Sequence, residues 1–115
     1  MVACEIRPLG NLRILSRLRD QFGADDAAQE AGFTQWVTQT FYALETAPAA
    51  IPQTGRFCHG DTPGPAALFL HAQVWNNRRF DIPPDRWPTI AGIFGDLDTL
   101  PAFRDAAPAV QPDAA

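Results

Sequence analysis

Apolar residues recur at helical spacing along most of the chain, and no stretch shows the alternation of a half-buried strand. Between residues 2 and 22 the pattern predicts a first helix, with apolar positions at Ile6, Leu9, Leu12, Leu15 and Leu18. Pro8 removes one backbone donor from this stretch, so we expect a kink or a helix start near it. Gly23 is suited to end the helix because glycine readily adopts the left-handed conformation found there.

The second predicted helix has the clearest amphipathic pattern. Asp25 and Asp26 stand at its start, where acidic side chains favour a helix N-terminus. The helix is expected to run to about residue 45, and its apolar face consists of Phe33, Trp36, Val37, Phe41 and Leu44. Residues 47–55 contain two prolines and a glycine and are predicted to form a loop.

Prolines mark the remaining helices. Pro65 is predicted at the first position of a third helix, where its missing N–H is not needed. One stripe of this helix consists of Ala66, Leu70, Val74 and Asn77. Residues 83–84 are both proline and break the chain, a fourth helix is expected over about 88–99, and Pro101 opens a short terminal one. Residues 111–115 are predicted to be a surface tail.

These patterns predict an all-α fold, a bundle of about four main helices plus a short terminal helix that pack by burying their apolar stripes. The length of 115 residues suffices for one domain with one core, spanning residues 1–115. The apolar content of 46% is ordinary for a globular protein. The large aromatic residues are therefore interpreted as core rather than as a cofactor site: Phe33, Trp36, Phe41, Trp75, Trp87 and Phe94.

The charge argues against nucleic acid as a partner. The net charge is −4, whereas binding to a phosphate backbone requires clustered basic residues. All nine basic residues are arginine, which suits paired contacts to carboxylates, although this composition also arises from genomic base bias. Cys4 and Cys58 lie far apart without a secretory signal, and no apolar run approaches a membrane span, so we expect a reduced, cytoplasmic protein.

Six short segments occur in an order that resembles a known family: 6–13 (IRPLGNLR), 36–45 (WVTQTFYALE), 58–63 (CHGDTP), 73–80 (QVWNNRRF), 87–90 (WPTI) and 100–103 (LPAF). They resemble the zeta class of glutathione transferases, which includes maleylacetoacetate isomerase and maleylpyruvate isomerase. The match covers nearly all of this chain but only the C-terminal half of the family. The resemblance therefore implies a helical bundle of the glutathione transferase C-terminal type.

The resemblance also implies a role in glutathione-dependent cis–trans isomerisation. In the family the glutathione thiolate adds to the double bond of a maleyl compound, the resulting single bond rotates, and elimination returns the thiol. A thioredoxin-like domain precedes the helical half and supplies the group that activates the thiol, together with most contacts to glutathione. Met1 aligns inside the first helix of the helical half, so the resemblance predicts that this domain is absent here. We then expect the chain to be inactive alone and to need a thioredoxin-like domain or a second subunit, a homodimer included.

Arg79 is the predicted substrate-binding residue, because it aligns with the family arginine that holds a substrate carboxylate. Arginine offers a paired-donor fork that matches a carboxylate. Successive helical residues point about 100° apart, so Arg78 and Arg79 are not expected to face one cavity. The alternative is that both arginines lie solvated at a helix end, where cations complement the helix dipole.

Four residues near the first predicted kink align with family positions that contact glutathione: Arg7, Asn11, Leu12 and Arg13. Arg7 stands where the family has histidine or glutamine. Arg7 and Asn11 are four residues apart and share a helix face. The alternative is an exposed polar face beside Pro8 without a ligand.

The chain departs from the family at the start of the third helix. Residues 64–67 read GPAA where family members carry Ser/Thr-x-x-Asp, so the side-chain caps are expected to be missing. The adjacent Cys58 and His59, even with Asp61, do not have metal-ligand spacing. Nothing in the sequence indicates a reactive Cys58 thiol either. A second functional hypothesis is a non-catalytic helical module for protein association, whose exposed apolar surface is covered by a partner.

Overall fold

A computed structural model of the protein describes residues 1–50 and 52–114, and every regular element in those two ranges is helical. A π-helical turn, Val2–Ile6, leads directly into the short helix α1, Arg7–Leu9. The longer elements are α2 (Leu12–Phe22), α3 (Asp26–Ala50), α4 (Pro65–Asn77), α5 (Pro88–Asp98) and α6 (Pro101–Asp105). Single 3₁₀ turns occur at Arg78–Phe80, Pro84–Arg86 and Pro108–Val110. The predicted all-α class is confirmed.

The predicted break near Pro8 falls at residues 10–11, where Asn11 starts α2. The Asn11 side-chain oxygen accepts a hydrogen bond from the Ile14 backbone N–H at 3.1 Å, and its amide nitrogen donates to the Pro8 carbonyl at 2.7 Å. Asn11 thus caps one helix while it holds the end of the other. Gly23 ends α2 as predicted, with φ of 66° and its N–H donating to the Arg19 carbonyl at 3.0 Å.

The second predicted helix is longer in the structure, since α3 continues to Ala50. The predicted loop over 47–55 is therefore wrong for residues 47–50, while Ile51 lies outside the described residues. The φ of proline is compatible with a helix, so Pro48 removes one backbone donor without forcing the last turn apart. Thr46 supports this end of the helix, because its hydroxyl donates to the Tyr42 and Ala43 carbonyls at 3.1 Å.

The core lies among α3, α4 and α5, closed by the π-helical turn at one side. Its largest fully buried apolar side chains are Ile6, Val37, Phe41, Phe57, Val74, Ile90 and Leu97. Aromatic pairs join the elements: Phe41 meets Trp87 edge-on at 5.0 Å, and Phe33 stacks on Phe80 at 4.0 Å. Trp36 is 39% exposed, so its assignment to the core was wrong. Its neighbour Val37 points inward, and the 100° step of the helix places Trp36 at the margin.

Two of the helix starts differ in how they are capped. Gly64 precedes α4 without any side-chain hydrogen bond, as the missing capping box predicts. Trp87 likewise gives no side-chain cap to α5. The side chain of Glu45, which lies on α3 and is distant in sequence, caps this helix instead. The Glu45 carboxylate accepts from the Thr89 backbone N–H at 2.7 Å and from the Ile90 backbone N–H at 3.0 Å. Burial alone raises the pKa of Glu45, but these hydrogen bonds outweigh it and the pKa lies below its ordinary value.

The turn before α4 is anchored by Phe57, whose side chain is 2% exposed. The Phe57 N–H donates to the Gly60 carbonyl at 3.0 Å, and Gly60 has the left-handed φ of 72° that favours glycine. Asp61 accepts from the Arg56 backbone N–H at 2.9 Å, and the Arg56 guanidinium lies 3.3 Å from Asp96 of α5. Burial raises the pKa of the half-buried Cys58 thiol, which disfavours its thiolate.

None of the helices in residues 1–50 and 52–114 is both long and apolar enough to cross a bilayer.

Candidate functional site

A pocket of about 260 Å³ lies between the α1–α2 junction and α4; we call it the junction pocket. One wall is formed by Ile6, Arg7, Gly10, Asn11 and Leu12, and the other by Ala72, Gln73, Asn76 and Arg79. The first wall is set by the Asn11 cap, which fixes where α1 ends and α2 begins. The second wall is the polar face at the end of α4, whose opposite face carries the buried residues Leu70 and Val74.

The junction pocket is electropositive. Arg7 and Arg79 are among its lining residues, and no acidic residue is. Both arginines are exposed, and within the described ranges neither has an acidic group at ion-pair distance. The other polar lining groups are the carboxamides of Asn11, Gln73 and Asn76. Free guanidinium forks beside neutral amides suit an anion, above all a carboxylate.

The sequence analysis missed Asn76 and Gln73 among the polar residues of the site, and Gln73 is the buried one of the two. Its side chain is 3% exposed, and its amide nitrogen donates to the Asn77 side-chain oxygen at 2.8 Å. Asn77 is 1% exposed, and its backbone carbonyl accepts from the Ile82 N–H at 3.2 Å. This buried amide pair therefore braces the end of α4, directly before the turn that carries Arg79. The sequence signal that could have identified Gln73 is its spacing from Asn77. Two amide side chains four residues apart lie on one helix face within hydrogen-bonding distance.

Four of the five predicted site residues meet in the junction pocket: Arg7, Asn11, Leu12 and Arg79. Arg13 is exposed and does not line the pocket, because one helical step turns it about 100° away from Leu12. The Asn11 side chain is already engaged in capping, with its oxygen on Ile14 and its nitrogen on Pro8. Asn11 therefore has less capacity for a ligand than its alignment implies.

Arg78 and Arg79 lie in different surroundings. This agrees only in part with the expectation that the two side chains do not face one cavity. The Arg78 guanidinium lies 4.0 Å from the Trp75 ring centroid and does not reach the junction pocket. Both arginines, however, line a second groove of about 720 Å³ beside residues 106–114. The expectation that they would not face one cavity is wrong for this groove, because it is broad and both side chains are long. Of the two arginines, Arg79 lines both the junction pocket and this groove, and Arg78 lines the groove.

The backbone of the junction pocket tolerates no side chain at Gly10. A Cβ at this position would lie 2.5 Å from Phe33, whose ring is buried against Phe80 and has little room to move. We expect Gly10→Ala to lower the free energy of unfolding by about 1–3 kcal/mol, the usual cost of overpacking. Gly32→Ala is the matched control, since a Cβ there meets nothing within 4 Å, and it should leave stability unchanged or slightly higher. Urea unfolding of both variants measures this, and equal stabilities would contradict the close approach.

The helical bundle is similar in fold to the C-terminal helical domain of glutathione transferases. No protein-family model matches the chain. It is 44% identical over its whole length to a maleylpyruvate isomerase of Ralstonia sp., of which it covers 54%. A solved holo structure of maleylpyruvate isomerase, described as a bacterial zeta-class glutathione transferase, is 44% identical with a TM-score of 0.93, over 99% of this chain and 54% of that one.

A maleylacetoacetate isomerase from Methylobacterium extorquens AM1, solved with bound malonate and glutathione, is similar at 29% identity with a TM-score of 0.94. That match covers 99% of this chain and 53% of the other. The chain is thus a homologue of the zeta-class glutathione transferases of the maleylacetoacetate and maleylpyruvate isomerase type. It spans about half the length of the curated relatives it matches. The resemblance inferred from the six sequence segments is confirmed.

Proposed function

We propose that this chain is the helical domain of a glutathione-dependent cis–trans isomerase that acts on a maleyl dicarboxylate, and that it supplies the wall that holds a substrate carboxylate. The observation that carries the proposal is Arg79, which lines the junction pocket with its guanidinium free of any acidic partner in the described residues. The isomerase names of the relatives and the malonate in the Methylobacterium structure support an acidic ligand.

The task of Arg79 in this reaction is to bind and orient. A paired contact from its guanidinium fixes one carboxylate and thereby the adjacent double bond, so that attack occurs from one direction. Glutathione, when bound, supplies the sulfur nucleophile whose addition permits rotation about that bond. The buried Gln73–Asn77 pair keeps the turn that carries Arg79 in place while the rest of the substrate changes shape.

This chain supplies residues that suit only one end of glutathione. The resemblance assigns Arg7, Asn11, Leu12 and Arg13 to it, and these contacts stay a prediction. The Arg7 guanidinium and the exposed apolar side chain of Leu12 suit one carboxylate end of this tripeptide. No hydroxyl or imidazole is among the lining residues of the junction pocket, so this wall offers a thiol the positive charge of its arginines but no side chain that could accept the thiol proton. We therefore propose that a thioredoxin-like domain, in another segment or subunit, completes the site.

A chimera tests this function. The part of the Ralstonia relative that this chain does not cover, joined ahead of this chain, should isomerise maleylpyruvate when glutathione is present. Arg79→Gln should lower kcat/KM about tenfold through loss of a charge-assisted contact. Arg78→Gln is the matched control and should change kcat/KM less than twofold, because its guanidinium packs on Trp75. A folded chimera that does not isomerise, or that is indifferent to Arg79→Gln, would refute the proposal.

The second hypothesis, an association module, is favoured by a different observation. Several large apolar side chains are exposed, among them Phe22 at 75%, Tyr42 at 69% and Leu68 at 58%. Such surface is commonly covered by a partner or a second copy. Sedimentation of the purified chain separates this hypothesis from the first, because a clean monomer that binds nothing would count against association and leave the anion pocket unaffected.

A further inference from the structure

We propose that Arg7 and Arg79 hold the two ends of one short dianion in the junction pocket, so that Arg7 contacts the substrate rather than glutathione. This assignment rests on the proposed function and changes one part of it, the ligand of Arg7. The site then selects a dicarboxylate over a monocarboxylate through residues of this chain alone.

The placement of the two arginines is the first argument. Arg7 begins α1 on one wall of the junction pocket, and Arg79 lies in the 3₁₀ turn after α4 on the other wall. A ligand held between the walls therefore has an arginine on each side. The cavity volume of about 260 Å³ lies just below the range of about 300–1,000 Å³ for drug-sized ligands, and this size suits a short diacid.

Charge balance is the second argument. The lining of the pocket contains two guanidinium groups and no carboxylate. A monoanion would neutralise one arginine and leave the other facing it across a small cavity, where like charges repel. A dianion neutralises both and makes a charge-assisted contact at each end. With histidine or glutamine at the position of Arg7, as the family resemblance describes, this second permanent charge would be missing.

Both walls are also fixed before any ligand enters. The Asn11 side-chain amide lies 2.7 Å from the Pro8 carbonyl and 3.4 Å from that of Arg7, which ties down the backbone beneath the first guanidinium. On the other wall, the buried Gln73–Asn77 pair holds the end of α4. Walls that are set in advance lower the ordering cost of binding, so the arginine side chains are the main parts that must become ordered.

The test compares maleate with its monoamide, maleamate, which keeps the carbon skeleton and lacks one charge. The 115-residue chain is titrated with each at low ionic strength, and the NMR signals of the Gln73 side-chain amide and the Gly10 backbone report binding. We expect maleate to bind about tenfold more tightly than maleamate. Arg7→Gln should weaken maleate binding about tenfold and abolish the preference for maleate. Arg17→Gln, the same charge change on α2 outside the pocket, should alter neither affinity.

The outcomes separate the assignment of Arg7 from the proposed function. If maleate binds, Arg79→Gln weakens it and Arg7→Gln leaves the preference intact, then the assignment of Arg7 is wrong while the proposed function stands. If the folded chain shows no shift with maleate, the claim of a dianion site in this chain fails, and the chimera still tests the proposed function independently. Should circular dichroism show that Arg7→Gln does not fold, Arg7→Lys replaces it. Lysine keeps the charge, so that variant should keep the preference for maleate, and its loss would overturn the proposal.

Discussion

Glu45→Ala should lower the free energy of unfolding by about 2–3 kcal/mol, because it removes a carboxylate that accepts two backbone hydrogen bonds at the start of α5. The Thr89 and Ile90 N–H groups lose their acceptor there, and Trp87 offers no side-chain cap to replace it. The contact also links α3 to α5, so its loss loosens the core at the same time. Glu45→Gln, which keeps one acceptor oxygen, should cost about half as much.

The effect of Glu45 should depend on pH with a definite sign. The folded-state pKa lies below the ordinary value, so the carboxylate stabilises the fold fully above that ordinary value. This stabilisation is lost as pH falls from about 5 through the lowered pKa, because protonation removes the charge from the hydrogen-bonded oxygens. The difference in unfolding free energy between the natural chain and Glu45→Gln should therefore shrink over that window.

Glu30→Ala is the matched control for Glu45, since Glu30 is exposed on the same helix and makes no hydrogen bond or ion pair in the described ranges. Its stability should stay within about 0.5 kcal/mol of the natural chain at every pH. Guanidinium chloride unfolding at a series of pH values measures all three variants. Parallel pH curves for the natural chain and Glu45→Gln would show that the carboxylate does not cap α5 in solution.

Phe57→Ala should be the most damaging single change, with a loss of about 3–4 kcal/mol. The ring is 2% exposed and fills the core between the turn and the helices. It also anchors a turn whose remaining contacts are a few hydrogen bonds and an exposed ion pair, and these contribute less than the ring. A domain with a total stability of about 5–15 kcal/mol would lose a large share of it.

The matched control for Phe57 is Phe22→Ala, the same chemical change at a side chain that is 75% exposed. Phe22→Ala should cost less than about 0.5 kcal/mol. Amide exchange gives a second measurement, because the Phe57 and Gly60 N–H groups, which donate to Gly60 and Gln53, should exchange faster when the ring is removed. Similar unfolding midpoints for the Phe57 and Phe22 variants would contradict the anchoring role.

Local signals along the sequence predicted most of the fold. Pro65, Pro88 and Pro101 each start a helix as predicted, because proline at the first helical position loses no needed donor. Gly23 ends α2 for the complementary reason. The prediction was wrong at Pro48, where proline was interpreted as the sign of a loop. The helix continues there because one missing backbone donor near a helix end costs little.

The candidate site was predicted in part. Alignment with the family identified Arg79, Arg7, Asn11 and Leu12, and these residues do share a pocket. Their grouping does not follow from periodicity, because α1 and the end of α4 are far apart in the sequence and only packing brings them together. Arg13 is not among the lining residues of this pocket, since one helical step turns it away from Leu12, and its contact with glutathione stays a prediction.

The sequence by itself determined that this protein is helical, where most of its helices begin and end, and which class of enzymes it resembles. These properties depend on neighbours within a turn or two along the chain, where the 3.6-residue period and the chemistry of proline and glycine act directly. Only the tertiary structure decided that Glu45 caps a distant helix, that Phe57 anchors the turn, and that Arg7 meets Arg79 across a pocket without a carboxylate. Contacts of this kind depend on how the helices pack against one another, and packing is a property of the whole core rather than of any segment.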